Sequence, residues 1–179
     1  MIKNPVADEK HNNFGGMIWG LLNKGRIFEK IVLHPAVRNV SSLLLGENSQ
    51  ISSLSANTVL PGNKKAQPAH LDYPYYRNLY PSEPKYRDDM MAPIMVLQFV
   101  VLLSEFTKEN GGTSLRPGSH KKPNYPGDEE DYYRNAIQLQ GNPGDIAIFA
   151  GSIQHGAMPN KSKMFRSGLL MHTAASYIR

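Results

Sequence analysis

Apolar positions change period partway along the chain. Between residues 17 and 45, Ile18, Leu21, Leu22, Ile27, Ile31, Val37, Val40 and Leu44 recur at steps of three and four, the spacing that aligns side chains on one face of a helix. Gly25 and Pro35 interrupt the pattern and Gly46 closes it, so two or three short helices are expected. Trp19 and these aliphatics are read as core. Ahead of them, residues 1–13 are polar and punctuated by Pro5, which suits a loosely ordered lead-in.

After Gly46 the texture becomes alternating and β-rich. Residues 51–60 read as a strand ended by the turn Pro61-Gly62-Asn63. Residues 95–103 form a nearly continuous apolar run, the mark of a strand covered on both faces. Further short strands are expected over 113–116, 145–149 and 167–174; between 117 and 143 lies a polar stretch whose acidic cluster, Asp128 to Asp131, is read as a solvated face or loop. Helices followed by antiparallel strands predict an α+β, mainly β architecture, with residues 14–46 helical and 51–179 forming a two-sheet roll against which the helices pack. At 179 residues a single domain spanning 1–179 is expected.

Composition narrows the chemistry. The absence of cysteine excludes disulfides and thiolate ligands, so a metal would need nitrogen and oxygen donors. The formal charge of +5 is scattered among acids without a basic run, which argues against nucleic acid and fits an enzyme that draws in acidic small molecules. No apolar run approaches bilayer length and no signal-peptide pattern opens the chain, so no membrane partner and a cytoplasmic location are expected.

His70-Leu71-Asp72 places two potential ligands on one side of an extended segment, because strand side chains alternate. About 0.2 such triplets arise by chance in a chain of this composition, so the triplet alone says little. His155 is the best candidate for a third ligand, completing a facial two-histidine, one-carboxylate set with open positions opposite. Arg166 follows eleven residues later, past the hairpin residues Pro159-Asn160-Lys161-Ser162, and is expected beside His155 on the adjoining strand, where its guanidinium would clamp a carboxylate through paired hydrogen bonds. His120 is read as a turn residue, and His11, His34 and His172 are left outside the site, although His172 could face the cavity from the last strand.

The order His70-x-Asp72, then 110–121 with the sequence Asn-Gly-Gly-Thr-Ser-Leu-Arg-Pro-Gly-Ser-His-Lys, then Gly144-Asp145, His155-Gly156-Ala157, Asn160, Ser162 and Arg166 resembles the phytanoyl-CoA dioxygenase family. The resemblance runs from about Phe28 to the C-terminus. It implies a double-stranded β-helix, or cupin-like jelly roll, with Fe(II) on His70, Asp72 and His155. It also implies 2-oxoglutarate chelating the iron and ending on Arg166, and polar cosubstrate contacts at Asn57, Gln67 and Thr113. The implied reaction uses O2 to hydroxylate a C–H bond of a small organic substrate, releasing succinate and CO2. Asp72 is retained where related halogenating enzymes carry a small residue, which favours hydroxylation. The N-terminal part is short beside typical members, so substrate-covering elements are expected to be absent or supplied by another subunit. The tyrosine-rich segment 73–80 is a candidate pocket wall. Two rivals stand: a jelly-roll binding protein without turnover, and a cupin-like metal-dependent isomerase or hydrolase. Substrate identity and oligomeric state are left open.

Overall fold

The computed structural model describes residues 16–72, 93–121 and 129–178. Among the described residues, eight strands form two antiparallel sheets. β1 (Gly16–Ile18), β2 (Gln50–Val59), β3 (Val96–Leu102), β6 (Ile146–Ala150) and β8 (Arg166–Ala174) make a five-stranded sheet in the order β1-β2-β8-β3-β6. β4 (Ser114–Leu115), β5 (Ile137–Gln138) and β7 (His155–Gly156) make a three-stranded sheet in the order β5-β4-β7. This is the two-sheet roll expected from the alternating pattern.

The outer face of the large sheet is covered by the N-terminal helices. α1 (Ile27–Val32) and α2 (Pro35–Leu45) follow a 3₁₀ turn at Leu21–Asn23. α2 starts where the sequence favours a start: Pro35 brings its fixed φ to the first turn, and the His34 Nδ1 caps it by accepting the Ala36 N–H at 3.2 Å. Gly46 ends it at φ 93°. Leu21 and Val37 then bury against Leu54, Leu97, Phe99, Leu169 and Met171, which point outward from β2, β3 and β8. Ser41 donates to Thr173 at 3.1 Å, tying α2 to the last strand.

Alternation sends the neighbouring residues inward. On β8 these are Arg166, Gly168, Leu170 and His172, flanked in register by Val59, Asn57, Ser55 and Ser53 of β2 and, opposite Leu170 and His172, by Val100 and Gln98 of β3. A bulge between Ile51 and Ser53 shifts the phase of β2, so that Ile51 joins the helix-facing core while Ser53 stands beside His172. Between the sheets, Val100, Leu102, Phe106, Phe149 and Ile153 form a second buried cluster.

Two expectations are corrected. Residues 16–18 are not helical, and the roll begins ahead of residue 51: β1 pairs with β2, Met17 opposite Asn57, which satisfies an otherwise open sheet edge. Trp19 is 48% exposed rather than core, Ile18 at the end of β1 is exposed too, and Leu22, Ile27 and Leu44 are exposed because α1, α2 and the 3₁₀ turn bury only the side turned to the sheet. Glu129 and Glu130 of the acidic cluster are exposed, as a solvated face requires, and the described part of the stretch 117–143 is structured. It holds β5 and the helix α3 (Glu129–Asn135), whose first turn carries Glu129, Glu130 and Asp131, where carboxylates favour the positive helix end. Tyr132 anchors that helix, fully buried with its hydroxyl 2.8 Å from Ser114 Oγ, and Asp131 pairs with Arg116 at 2.8 Å.

The turn between β3 and β4 depends on Gly111. Its φ is 81°, and a Cβ there would collide with the carbonyl oxygen of Met158. Gly118 has a similar φ of 83° but open space around it. Gly118→Ala should therefore cost about 1–2 kcal/mol, the left-handed strain alone. Gly111→Ala adds a backbone clash and should cost about 3 kcal/mol or more in denaturant unfolding; equal losses at the two positions would contradict this packing.

Candidate metal centre and its cavity

The segment carrying His70 and Asp72 runs antiparallel to 151–157 and extends the small sheet beyond β7. The Gln67 N–H donates to the Ala157 carbonyl at 2.8 Å, His70 and His155 exchange both backbone hydrogen bonds at 2.9 and 3.0 Å, and Asp72 N–H reaches the Gly151 carbonyl at 3.3 Å. Gly156 allows this approach, since a Cβ there would lie 2.7 Å from the Gln67 carbonyl oxygen. The pairing sets His70 and His155 directly opposite one another, with ring centroids 4.4 Å apart.

Both rings are fixed by their rear nitrogens. Nδ1 of His70 donates to the Pro68 carbonyl at 2.9 Å, and Nδ1 of His155 donates to the Ile153 carbonyl at 3.0 Å. In a neutral imidazole that leaves Nε2 as a bare lone pair. The Nε2 of His70 lies 3.4 Å from Asp72 Oδ1, and that of His155 lies 3.2 Å from Asp72 Oδ2. One donor atom from each of the three residues falls within 4.8 Å of the others. Three electron-pair donors converge, and only a cation between them reconciles the arrangement. A proton is one such cation. Burial opposes a charged imidazole at His70, but the hydrogen bond to Asp72, the Pro68 carbonyl and the carboxylate charge outweigh it and raise its pKa. Burial likewise opposes charge on Asp72, yet the charge of His155 and the hydrogen bonds of His155, His172 and His70 hold its pKa far below the usual carboxylate range. A divalent metal would displace the protons, and two imidazole nitrogens with one carboxylate oxygen suit iron or another first-row ion.

His70, Asp72 and His155 line a cavity of about 450 Å3 together with Arg166 and with Asn57, Gln67 and Thr113. The structure thus brings together all seven residues singled out from the sequence. The route differs for Arg166. It does not lie on a strand adjoining His155, because β7 pairs with β4 and the His70 segment, whereas β8 pairs with β2 and β3. Arg166 instead reaches the shared cavity from the facing sheet. It is 5% exposed, its guanidinium carbon lies 4.7 Å above the Phe106 ring, and its Nη1 donates a long 3.4 Å bond to Thr113. Its buried Nε has no partner, and burial lowers its pKa to about 10, so the group remains a cation at neutral pH. A largely unpaired buried cation at a cavity wall calls for an anion. Gly168, two residues on, leaves room for the Phe106 ring, which a Cβ would approach at 3.2 Å.

His172 was missed from the sequence as a member of the site. Its Nε2 lies 3.0 Å from Asp72 Oδ2 and its Nδ1 lies 2.7 Å from Ser53 Oγ. The signal was present, since 166 and 172 share parity on one strand. Gln98, its register partner on β3, also lines the cavity, with a buried Oε1 that has no hydrogen-bond partner. Met17 and Trp19 complete one side of the cavity. His34 caps α2 and His120 sits in the 3₁₀ turn Ser119–Lys121, both outside the cluster. His11 and the tyrosines of 73–80 lie outside the described residues.

A cupin-like jelly roll whose interior gathers two imidazoles and one carboxylate defines a class, that of jelly-roll proteins with a nitrogen-and-oxygen donor set fit for a first-row metal. Within it, the family model for phytanoyl-CoA dioxygenase (PhyH) matches residues 5–168, and the chain belongs to that family. The motif resemblance is borne out. The dioxygenase cdmD of Talaromyces verruculosus is 36% identical over 121 residues, covering 64% of this chain and 36% of that protein. The dioxygenase aneA of Aspergillus aculeatus is 31% identical over 154 residues, covering 84% of this chain and 49% of that protein. The chain thus spans about half the length, or less, of these curated relatives. Among solved structures, EctD from S. alaskensis with 2-oxoglutarate and 5-hydroxyectoine is similar at a TM-score of 0.75 and 20% identity, over 97% of this chain and 61% of that one. The same protein with bound Fe gives 0.71 at 21% identity, over 89% and 56%. These likenesses establish the fold. Among the described residues, no helix is long and apolar enough to cross a membrane.

The entry of β8 is set by Asn160, which is fully buried. Its amide donates to the carbonyls of Met164 and Val59 at 2.8 and 3.3 Å, and its oxygen accepts from Ser162. Asn160→Ala strands these groups and should cost about 2–4 kcal/mol by chemical unfolding. Ser162→Ala, at a half-buried position and with its backbone N–H to Asn160 kept, should cost under about 1 kcal/mol; the reverse ranking would show that Asn160 does not pin the turn.

Proposed function

We propose that this chain is an Fe(II)- and 2-oxoglutarate-dependent dioxygenase that hydroxylates a C–H bond of a small organic substrate. One observation carries the reading: three converging lone-pair donors and a buried, incompletely paired guanidinium wall the same cavity. A metal-ligating set alone would suit a cupin-like isomerase, and an anion site alone would suit a binding protein. Their combination matches a metal that shares its ligand sphere with a dicarboxylate.

In this reading Nε2 of His70, Nε2 of His155 and one oxygen of Asp72 hold the iron. The carbonyls of Pro68 and Ile153 keep both imidazoles in the ligating tautomer. Arg166 receives the distal carboxylate of 2-oxoglutarate by a charge-assisted fork, supported by Thr113, with Asn57 and Gln67 as further polar contacts. Phe106 beneath the guanidinium orients it and keeps water from its face. When bound, iron and 2-oxoglutarate with O2 supply the oxidising chemistry, yielding succinate, CO2 and a hydroxylated substrate. The apolar walls, among them Val100, Leu170 and Ala157, exclude water and leave substrate contacts largely non-directional.

The test is conversion of 2-oxoglutarate to succinate by protein reconstituted with Fe(II). Conversion is expected in air and absent under argon; turnover of a candidate substrate without O2 would favour the isomerase instead. Arg166→Gln should weaken 2-oxoglutarate binding at least roughly tenfold, the scale of a lost charged hydrogen bond, with Fe(II) affinity unchanged. His155→Ala should lose iron itself, and equal iron affinity in wild type and His155→Ala would show that the third ligand lies elsewhere.

A further inference from the structure

We infer that His172 is a positioning residue for the metal centre: it anchors Oδ2 of Asp72 and so fixes the orientation of the carboxylate between Nε2 of His70 and Nε2 of His155. The inference rests on the proposed iron site and assigns a task that the ligands cannot perform themselves.

The hydrogen-bond chemistry leaves little freedom. Ionised Asp72 only accepts, and its Oδ2 lies 3.0 Å from Nε2 of His172, so that nitrogen must carry the proton. Neutral His172 then has an accepting Nδ1, and Ser53, 2.7 Å away, donates its hydroxyl there. The relay runs from Ser53 to His172 to Asp72. Each end is held by the fold. His172 and Ser53 are register partners on β8 and β2, and the bulge before Ser53 brings its side chain into phase with His172. Asp72 approaches from the other sheet, through its N–H on the Gly151 carbonyl. The contact therefore joins the two halves of the roll at the metal centre.

The consequence concerns coordination. A carboxylate free to rotate can chelate through both oxygens and occupy two positions. The hydrogen bond from His172 to Oδ2 counts against that second bond, and a carboxylate filling one position, together with two imidazoles, would leave three for a bidentate cosubstrate and O2. Supporting partners of this kind typically change metal affinity by 10–100-fold. His172 is not assigned as a ligand, since its nearest ring nitrogen is satisfied by Asp72.

Co(II) titration of the metal-free full chain, followed by visible absorption, reads the effect without turnover. His172→Phe should weaken Co(II) binding roughly 10–100-fold. His172→Gln, whose amide can donate to Asp72 and accept from Ser53, should recover most of it, and Ser53→Ala should lose an intermediate amount. Unchanged affinity in His172→Phe would overturn the inference. So would a failure of His172→Gln to recover affinity together with an altered ligand-field spectrum, which would make His172 a ligand. If His172→Phe does not fold, the Ser53→Ala and His172→Gln pair decides: wild-type affinity in Ser53→Ala refutes the relay. Loss of Co(II) binding in His155→Ala tests the underlying site separately, so failure of the site and failure of the relay are distinguishable.

Discussion

Ionised Asp72 is the constraint around which the interior of the roll is organised. A carboxylate withdrawn from water costs several kcal/mol unless it is surrounded by donors or cations, and here three imidazoles from three segments converge on it. His70 and His155 are brought by the ladder that extends the small sheet, and His172 by the last strand of the large one. The same charge that raises the His70 pKa would be neutralised by a divalent metal. A site that is costly as a set of bare side chains is well matched to an ion. The sheets, the bulge in β2 and the glycine at 156 position those donors.

The second buried charge behaves in the complementary way. Arg166 sits on Phe106 with an unpaired Nε, and its lowered pKa records the cost of keeping a cation out of water. An anionic cosubstrate would lower that cost. Cation hole and anion hole share one cavity, and a ligand carrying a carboxylate at each end has the polarity to bridge them. This is why the family's chemistry fits the described residues better than either a pure metal site or a pure binding pocket.

Much of this was legible in the sequence because it depends on local rules. Alternating texture predicted strands over 51–60 and 167–174 and a continuous apolar run predicted 95–103, and the observed β2, β3 and β8 differ by at most one residue at either end. His70, Asp72, His155 and Arg166 were found by order and spacing. What escaped was decided by pairing between distant segments. Residues 16–18 share a helix-like period with Leu21 and Leu22, and only the open edge of β2 makes them a strand. Asp131 and Tyr132 look like part of a solvated run until Arg116 and Ser114 are seen beside them. His172 was set aside because ligand spacing was sought along the chain, whereas its link to Asp72 crosses 100 residues. The sheet assigned to Arg166 was wrong for the same reason: eleven residues after His155 the chain has crossed to the other sheet.

The central claim is that metal and 2-oxoglutarate share one site. Anaerobic addition of 2-oxoglutarate to the Fe(II)-loaded protein, followed by visible absorption, tests it most directly. A metal-to-ligand charge-transfer band that saturates at one equivalent, and that appears only at much higher cosubstrate concentration in Arg166→Gln, is the expected result. Binding of 2-oxoglutarate with no such band would place the dicarboxylate away from the metal and contradict the account.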